Sequence, residues 1–260
     1  MPPEVAWKFQ RLVWTLNFVG SALVIWRVCH LGLHKKYRYF LLYLALSFVR
    51  TAILLRFSPL SPAYYTIWSY TQPLLWISYV LVISELYSLA LREYRGIYSL
   101  SRWFLLAAVS ASVLVSALTV LPTMTRPPVR YPLLYYYALI ERGLVTGLAI
   151  FLFLLLAMIA WFAIPLSRNL LIHGTIYTAY FVANNVTALY WAGAIQTTYL
   201  SNVSKLAVGL ACQLCWVFFL TRRGEDRISS LLLGRNPLAE RRLLGQLENL
   251  NATLLRTARK

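Results

Sequence analysis

The sequence predicts an all-α integral membrane protein: a bundle of seven transmembrane helices, N-terminus outside and C-terminus cytoplasmic, followed by a short amphipathic or coiled-coil helix. Three observations predict it. Hydrophobic residues make up 60% of the chain and charged ones 13%, where a soluble domain carries about 25% charged residues. The apolar residues gather into runs that can cross a hydrocarbon core, which needs about 20 of them in a row. The basic residues gather on alternate sides of those runs.

The first run covers Leu12–Leu31. No small-residue cleavage site precedes a mature domain, so this run is expected to act as its own insertion signal. The second covers Tyr39–Phe57 and stops at Ser58-Pro59-Leu60-Ser61-Pro62, a cluster of helix breakers. The third covers Thr66–Leu89 and contains Pro73, which removes a backbone hydrogen bond and predicts a kink. The fourth covers Trp103–Leu121, before Arg126-Pro127-Pro128. The fifth, Leu134–Ile164, is the longest and leaves room for tilt; the sixth and seventh are Leu170–Ala192 and Tyr199–Leu220. Trp7, Trp68, Trp103, Trp161 and Trp191 fall near run ends, the headgroup level that amphipathic rings prefer.

The chain carries 25 Lys and Arg against 8 Asp and Glu. Sixteen of the cations lie after the first, third and fifth runs or beyond Thr221, and four lie on the opposite side. That asymmetry places the tail in the cytoplasm, in agreement with an odd number of spans. The basic excess is therefore assigned to topology and to anionic lipid headgroups at the cytoplasmic face of the cell membrane, not to nucleic acid. Units 1–221 and 222–260 are read as the transmembrane domain and a basic tail.

Five cations remain inside the runs: Arg27, Arg50, Arg56, Arg142 and Lys205. A charge inside a bilayer costs several kcal/mol unless paired or hydrated. Arg50 is the deepest, about eleven residues or roughly 17 Å into its helix, out of reach of either interface. Its expected partner is Glu85 or Glu141, and a Glu141–Lys205 pair forms if the fifth and seventh helices touch. The expected polar centre is Arg50, Glu85, Glu141, Arg142, Asn184, Asn185 and Lys205, with Gln72 beside Pro73. The plainer alternative is that Arg56, Arg142 and Lys205 snorkel to headgroups and that Asn and Gln join helices.

Other motifs carry less. Cys212 and Cys215 have C-x-x-C spacing within an apolar helix, with no charge to activate a thiolate. His30, His34 and His173 are read as interfacial residues, not metal ligands. A retinal protein is disfavoured, because Lys205 has no acidic counterion on the third helix at its depth, and a haem carrier because the three histidines are loosely placed. No cofactor, metal or catalytic residue is expected. In the tail, Pro237 opens a helix of about residues 237–258, where Leu243, Leu247, Leu250 and Leu254 form the seam of a short coiled coil. Two heptads are marginal alone, so the seam is expected to meet its own copy or a membrane-complex partner.

The segment Glu85-Leu-Tyr-Ser-Leu-Ala-Leu-Arg-Glu-Tyr-Arg-Gly96, then Ser101-Arg-Trp103, and the tail run Leu247-Glu-Asn-Leu-Asn-Ala-Thr-Leu-Leu-Arg256 resemble an uncharacterised group of bacterial seven-helix integral membrane proteins. The resemblance implies that Glu85 to Arg95 is a cytoplasmic helix end and carries over no functional residue. The expected function is a non-enzymatic receptor-like or scaffolding module. The alternative is a transporter or binding protein for a small anionic solute or lipid, using a cationic intramembrane cavity.

Overall fold

Prolines and one glycine set where the apolar runs begin and end as helices. The computed structural model describes residues 3–58, 61–91, 132–162, 164, 166–190 and 198–225, with isolated helical positions between 103 and 114 and between 245 and 252. Helix α1 spans Pro3–His30, starting well before its apolar run. It stops at Gly32, whose φ of 71° is a left-handed conformation that costs glycine nothing. A 3₁₀ turn at Leu33–Lys35 leads into α2, Arg38–Leu54. Ser61 then caps α3, Pro62–Ala90: its side chain accepts the Tyr64 N–H at 3.2 Å, and Pro62 fills the first turn. Helix α3 runs unbroken through Pro73.

Three long helices follow: α4 at Pro132–Phe162, α5 at Arg168–Tyr190 and α6 at Thr198–Phe219. A final 3₁₀ turn covers Arg222–Glu225. These are the fifth, sixth and seventh runs, each within two residues of its expected bounds. The second run ends three residues early, at Leu54, and Arg56 and Phe57 belong to the turn beyond it. The fourth run, the tail helix and its four seam leucines lie outside the described residues, apart from isolated helical positions.

Among the described residues the six helices close into a ring in chain order, each packed on the next and α6 packed back on α1; α3 also touches α5 across the middle. The closing seam between α1 and α6 is polar and tightly fitted. Asn17 Nδ2 donates to the Leu206 carbonyl at 3.0 Å, Gln213 Nε2 to Ser21 Oγ at 2.8 Å, and Arg27 Nη2 to the Leu220 carbonyl at 3.0 Å. A Cβ added at Gly209 would stand 3.2 Å from Asn17 Oδ1, so the absence of a side chain there permits the close approach.

Segments Phe9–His30, Pro62–Ala90, Ile140–Trp161 and Asn202–Phe219 are long and apolar enough to cross a membrane. Their surroundings agree. Trp26, Tyr70, Phe153, Trp161 and Phe218 are among many large apolar side chains on the outside, whereas Gln10, Asn17, Ser21, Gln72, Asn169, His173, Asn184 and Gln213 are buried. A soluble fold rarely exposes so much contiguous apolar surface; hydrocarbon outside and polar groups inside is the arrangement lipid demands. The chain is a helical membrane protein.

Candidate functional site

Polar residues recur along the inner faces of the helices at spacings of three, four and seven, which stacks them on one side of each helix. Tyr43, Ser47 and Arg50 do so on α2, Trp68, Gln72 and Tyr79 on α3, and Asn202, Lys205, Gly209 and Cys212 on α6. With Trp14, Asn17 and Ser21 of α1, Glu141 of α4 and Tyr180 and Asn184 of α5, they line one cavity of about 250 Å³ inside the ring. All six helices contribute to its wall.

A chain of contacts crosses this cavity. Arg50 Nη2 donates to Gln72 Oε1 at 2.6 Å, and Gln72 Nε2 donates to Glu141 Oε2 at 3.2 Å. Lys205 Nζ lies 3.4 Å from Glu141 Oε1. Gln72 thus links the arginine to the carboxylate that the lysine also meets. The Arg50 guanidinium carbon sits 5.7 Å from the Trp68 ring centroid, within cation–π range. Its Nε is buried with no hydrogen-bond partner among the described residues. Two cations against one carboxylate leave the cavity with a formal charge of +1. Deeper in, the hydroxyls of Tyr79 and Tyr180 are 3.1 Å apart.

Of the expected polar centre, Arg50, Glu141, Asn184 and Lys205 line this cavity. Three others do not. Glu85 lies 13 residues along α3 from Gln72, roughly 20 Å at 1.5 Å per residue. There its carboxylate accepts the backbone N–H groups of Tyr39 and Phe40 at 3.1 and 3.2 Å. It caps the N-terminus of α2, where orphan donors and the helix dipole both attract an anion. Arg142 is exposed, turned away from Glu141 by its helical position. Asn185 accepts the Thr146 hydroxyl at 2.7 Å and so joins α5 to α4 outside the cavity.

His173 is a second correction: it is fully buried, not interfacial. Its ring lies 4.6 Å from those of Tyr37 and Phe40 and 6.2 Å from Trp216. The sequence carried a signal for it. Asn169, His173, Tyr177, Tyr180 and Asn184 follow at spacings of four, four, three and four, a polar stripe along an otherwise apolar helix. Asn17 and Ser21, four residues apart on α1, carried a similar but shorter signal, while the pairing of Ser21 with Gln213 depends on how α1 meets α6.

A second polar cluster closes the other end of the ring. Glu225 Oε1 accepts from Tyr37 Oη at 3.1 Å and from Asn169 Nδ2 at 2.6 Å, while its Oε2 pairs with Lys36. Asn169 Nδ2 also donates to the Thr221 carbonyl at 2.7 Å, and Asn169 Oδ1 accepts the Thr221 N–H at 3.3 Å. A Cβ at Gly224 would stand 2.3 Å from Asn169 Oδ1, so only glycine fits there. Burial, reinforced by the charge of Glu225, pushes the Tyr37 hydroxyl well above the ordinary tyrosine range and keeps it a donor. This clamp fixes the start of the tail to the α1–α2 turn and to α5. Among the described residues no three His, Cys, Asp or Glu side chains converge as a metal site would require.

Compared with known proteins, the chain matches no family model, no curated protein and no solved structure.

Proposed function

We propose that this chain is a non-enzymatic, seven-span membrane protein, N-terminus outside and tail cytoplasmic, that binds a small anionic solute in the cavity and acts as a receptor-like module. The observation that carries the reading is Arg50: a cation in the cavity wall, held between Gln72 and Trp68, with a buried nitrogen that has no partner among the described residues. A planar guanidinium is suited to grip a carboxylate or phosphate through two parallel hydrogen bonds. Lys205 adds attraction, and Glu141 limits the net charge so that one negative charge is matched. The clamp around Glu225 supports the receptor half, since it couples the bundle to the segment that leads into the tail. The seam Leu243, Leu247, Leu250 and Leu254 then joins copies of the chain or a membrane-complex partner.

Native mass spectrometry of the protein released from its own membranes in mild detergent tests both halves. The expected result is an assembly larger than one 29.9 kDa chain that retains a small anion. Loss of the anion from Arg50→Gln, and of the assembly from a variant with the seam leucines changed to Ser, follows from the reading. A bare monomer from the unaltered protein would sink it. Transport of the same solute is the second reading, favoured by the polar stripe that leads from the cavity toward the clamp.

A further inference from the structure

The stripe on α5 has an energetic anomaly. Both ring nitrogens of His173, the hydroxyl of Tyr177 and the indole N–H of Trp216 are buried without hydrogen-bond partners among the described residues. They share one aromatic cluster, with Tyr177 and Trp216 ring centroids 5.0 Å apart. Orphaned buried polar groups are costly, and a concentration of them in one place calls for an explanation such as internal water. A phenylalanine at 173 would pack among the same rings without that cost.

What lies on either side of the cluster makes it more than a packing curiosity. Toward the cavity, Tyr177 adjoins Tyr43 at 6.3 Å between centroids, and Tyr43 adjoins Tyr79, whose hydroxyl meets that of Tyr180. Toward the tail, His173 adjoins Tyr37, whose hydroxyl donates to Glu225. Hydroxyl, imidazole and carboxylate groups therefore succeed one another from the cavity to the clamp, along about 22 Å of α5 between Asn169 and Asn184. Each such group can both accept and release a proton. The orphaned atoms fall where neighbouring rings pack on one another without a hydrogen bond between their polar atoms, the step of the path that water has to bridge.

We propose that the polar stripe of α5 is a proton path joining the cavity to the tail end of the bundle, with His173 as its relay. The titratable groups facing Tyr177 from the packed elements are Tyr43 of α2, Glu85 of α3 and Cys212 of α6, and His173 packs on Tyr37 of the α1–α2 turn, whose hydroxyl reaches Glu225 beyond α6. The adjoining half of α4, beyond Arg142, carries none. Protons hop through the hydroxyls and water, and His173 accepts one on one ring nitrogen while releasing one from the other.

The test is proton entry into vesicles holding the full-length chain and a trapped pH-sensitive dye, driven by a potassium diffusion potential. The unaltered protein is expected to raise the rate about tenfold over protein-free vesicles, and His173→Phe to return it to their level. The same variant is expected to melt at about the same temperature, because phenylalanine packs among the same rings. That combination separates a relay from a packing residue, whose loss would lower the melting temperature and leave the flux alone. Tyr177→Phe serves as the second variant and is expected to lose the flux as well. An unaltered protein no faster than empty vesicles, or undiminished flux in either folded variant, would overturn the proposal.

Discussion

The two polar clusters of this molecule use similar residues to opposite ends. At the clamp, Glu225 is met by three donors and Asn169 is used on both sides of its amide. In the cavity, the Arg50 Nε and Gln213 Oε1 go without partners, and the Lys205–Glu141 contact is a loose 3.4 Å. A saturated network holds parts together; an unsaturated one beside open space retains hydrogen-bonding capacity for something that arrives. The difference lies in the count of partners and not in the kind of residue.

The comparison can be broken most directly at Asn169. Asn169→Leu strips three hydrogen bonds from the clamp and should destabilise the protein by about 3 kcal/mol, read as a lower thermal midpoint in detergent. The matching change in the cavity, Arg50→Leu, should alter stability by less than about 1 kcal/mol, since a partly satisfied buried cation adds little net. Its effect belongs to binding: affinity for a small anion should fall by roughly 100-fold, about 2.7 kcal/mol, followed through quenching of the cavity tryptophans. If Arg50→Leu instead unfolds the protein, the two clusters are alike and the contrast is wrong. Glu141→Gln raises the cavity charge from +1 to +2 and should tighten anion binding by about fivefold. The smallest effect is at Tyr37. A hydroxyl held protonated in the fold contributes stability that is intact at neutral pH and lost as pH rises above the ordinary tyrosine value near 10, where the unfolded chain releases its proton first. Tyr37→Phe should cost about 1 kcal/mol at pH 7 and weaken that alkaline decline in a pH series of melting curves.

The bounds of the fifth, sixth and seventh runs were readable from sequence because hydrocarbon thickness acts locally, whereas the start of α1 at Pro3, nine residues before its apolar run, was not. Arg50 was readable for a similar reason: its depth in one helix is a matter of counting. Glu141 and Lys205 could be matched by depth, and they meet. Glu85 could not be placed this way, because nothing in its own helix shows that the N-terminus of α2 stands beside it. Gln72 stands out in sequence beside Pro73, yet its role between Arg50 and Glu141 depends on three helices meeting at one level. His173 was misplaced for a different reason. Taken alone, a histidine near a run end resembles an interfacial residue, and only the series from Asn169 to Asn184 reveals its inward face. Sequence carries which face of a helix is polar more faithfully than it carries which neighbour that face will find.

The seam between α1 and α6 has a consequence for how the protein comes into being. Asn17 and Leu206 are 189 residues apart, and Ser21 and Gln213 are 192. During synthesis the first helix enters the bilayer long before its seat on the last one exists. Until α6 arrives, Asn17, Ser21 and Arg27 of α1 lack the partners they meet in the closed ring, and the wall of the cavity is incomplete. The contacts that close the ring therefore need the last helix, and a chain halted before residue 206 has only an open arc of helices around an incomplete cavity.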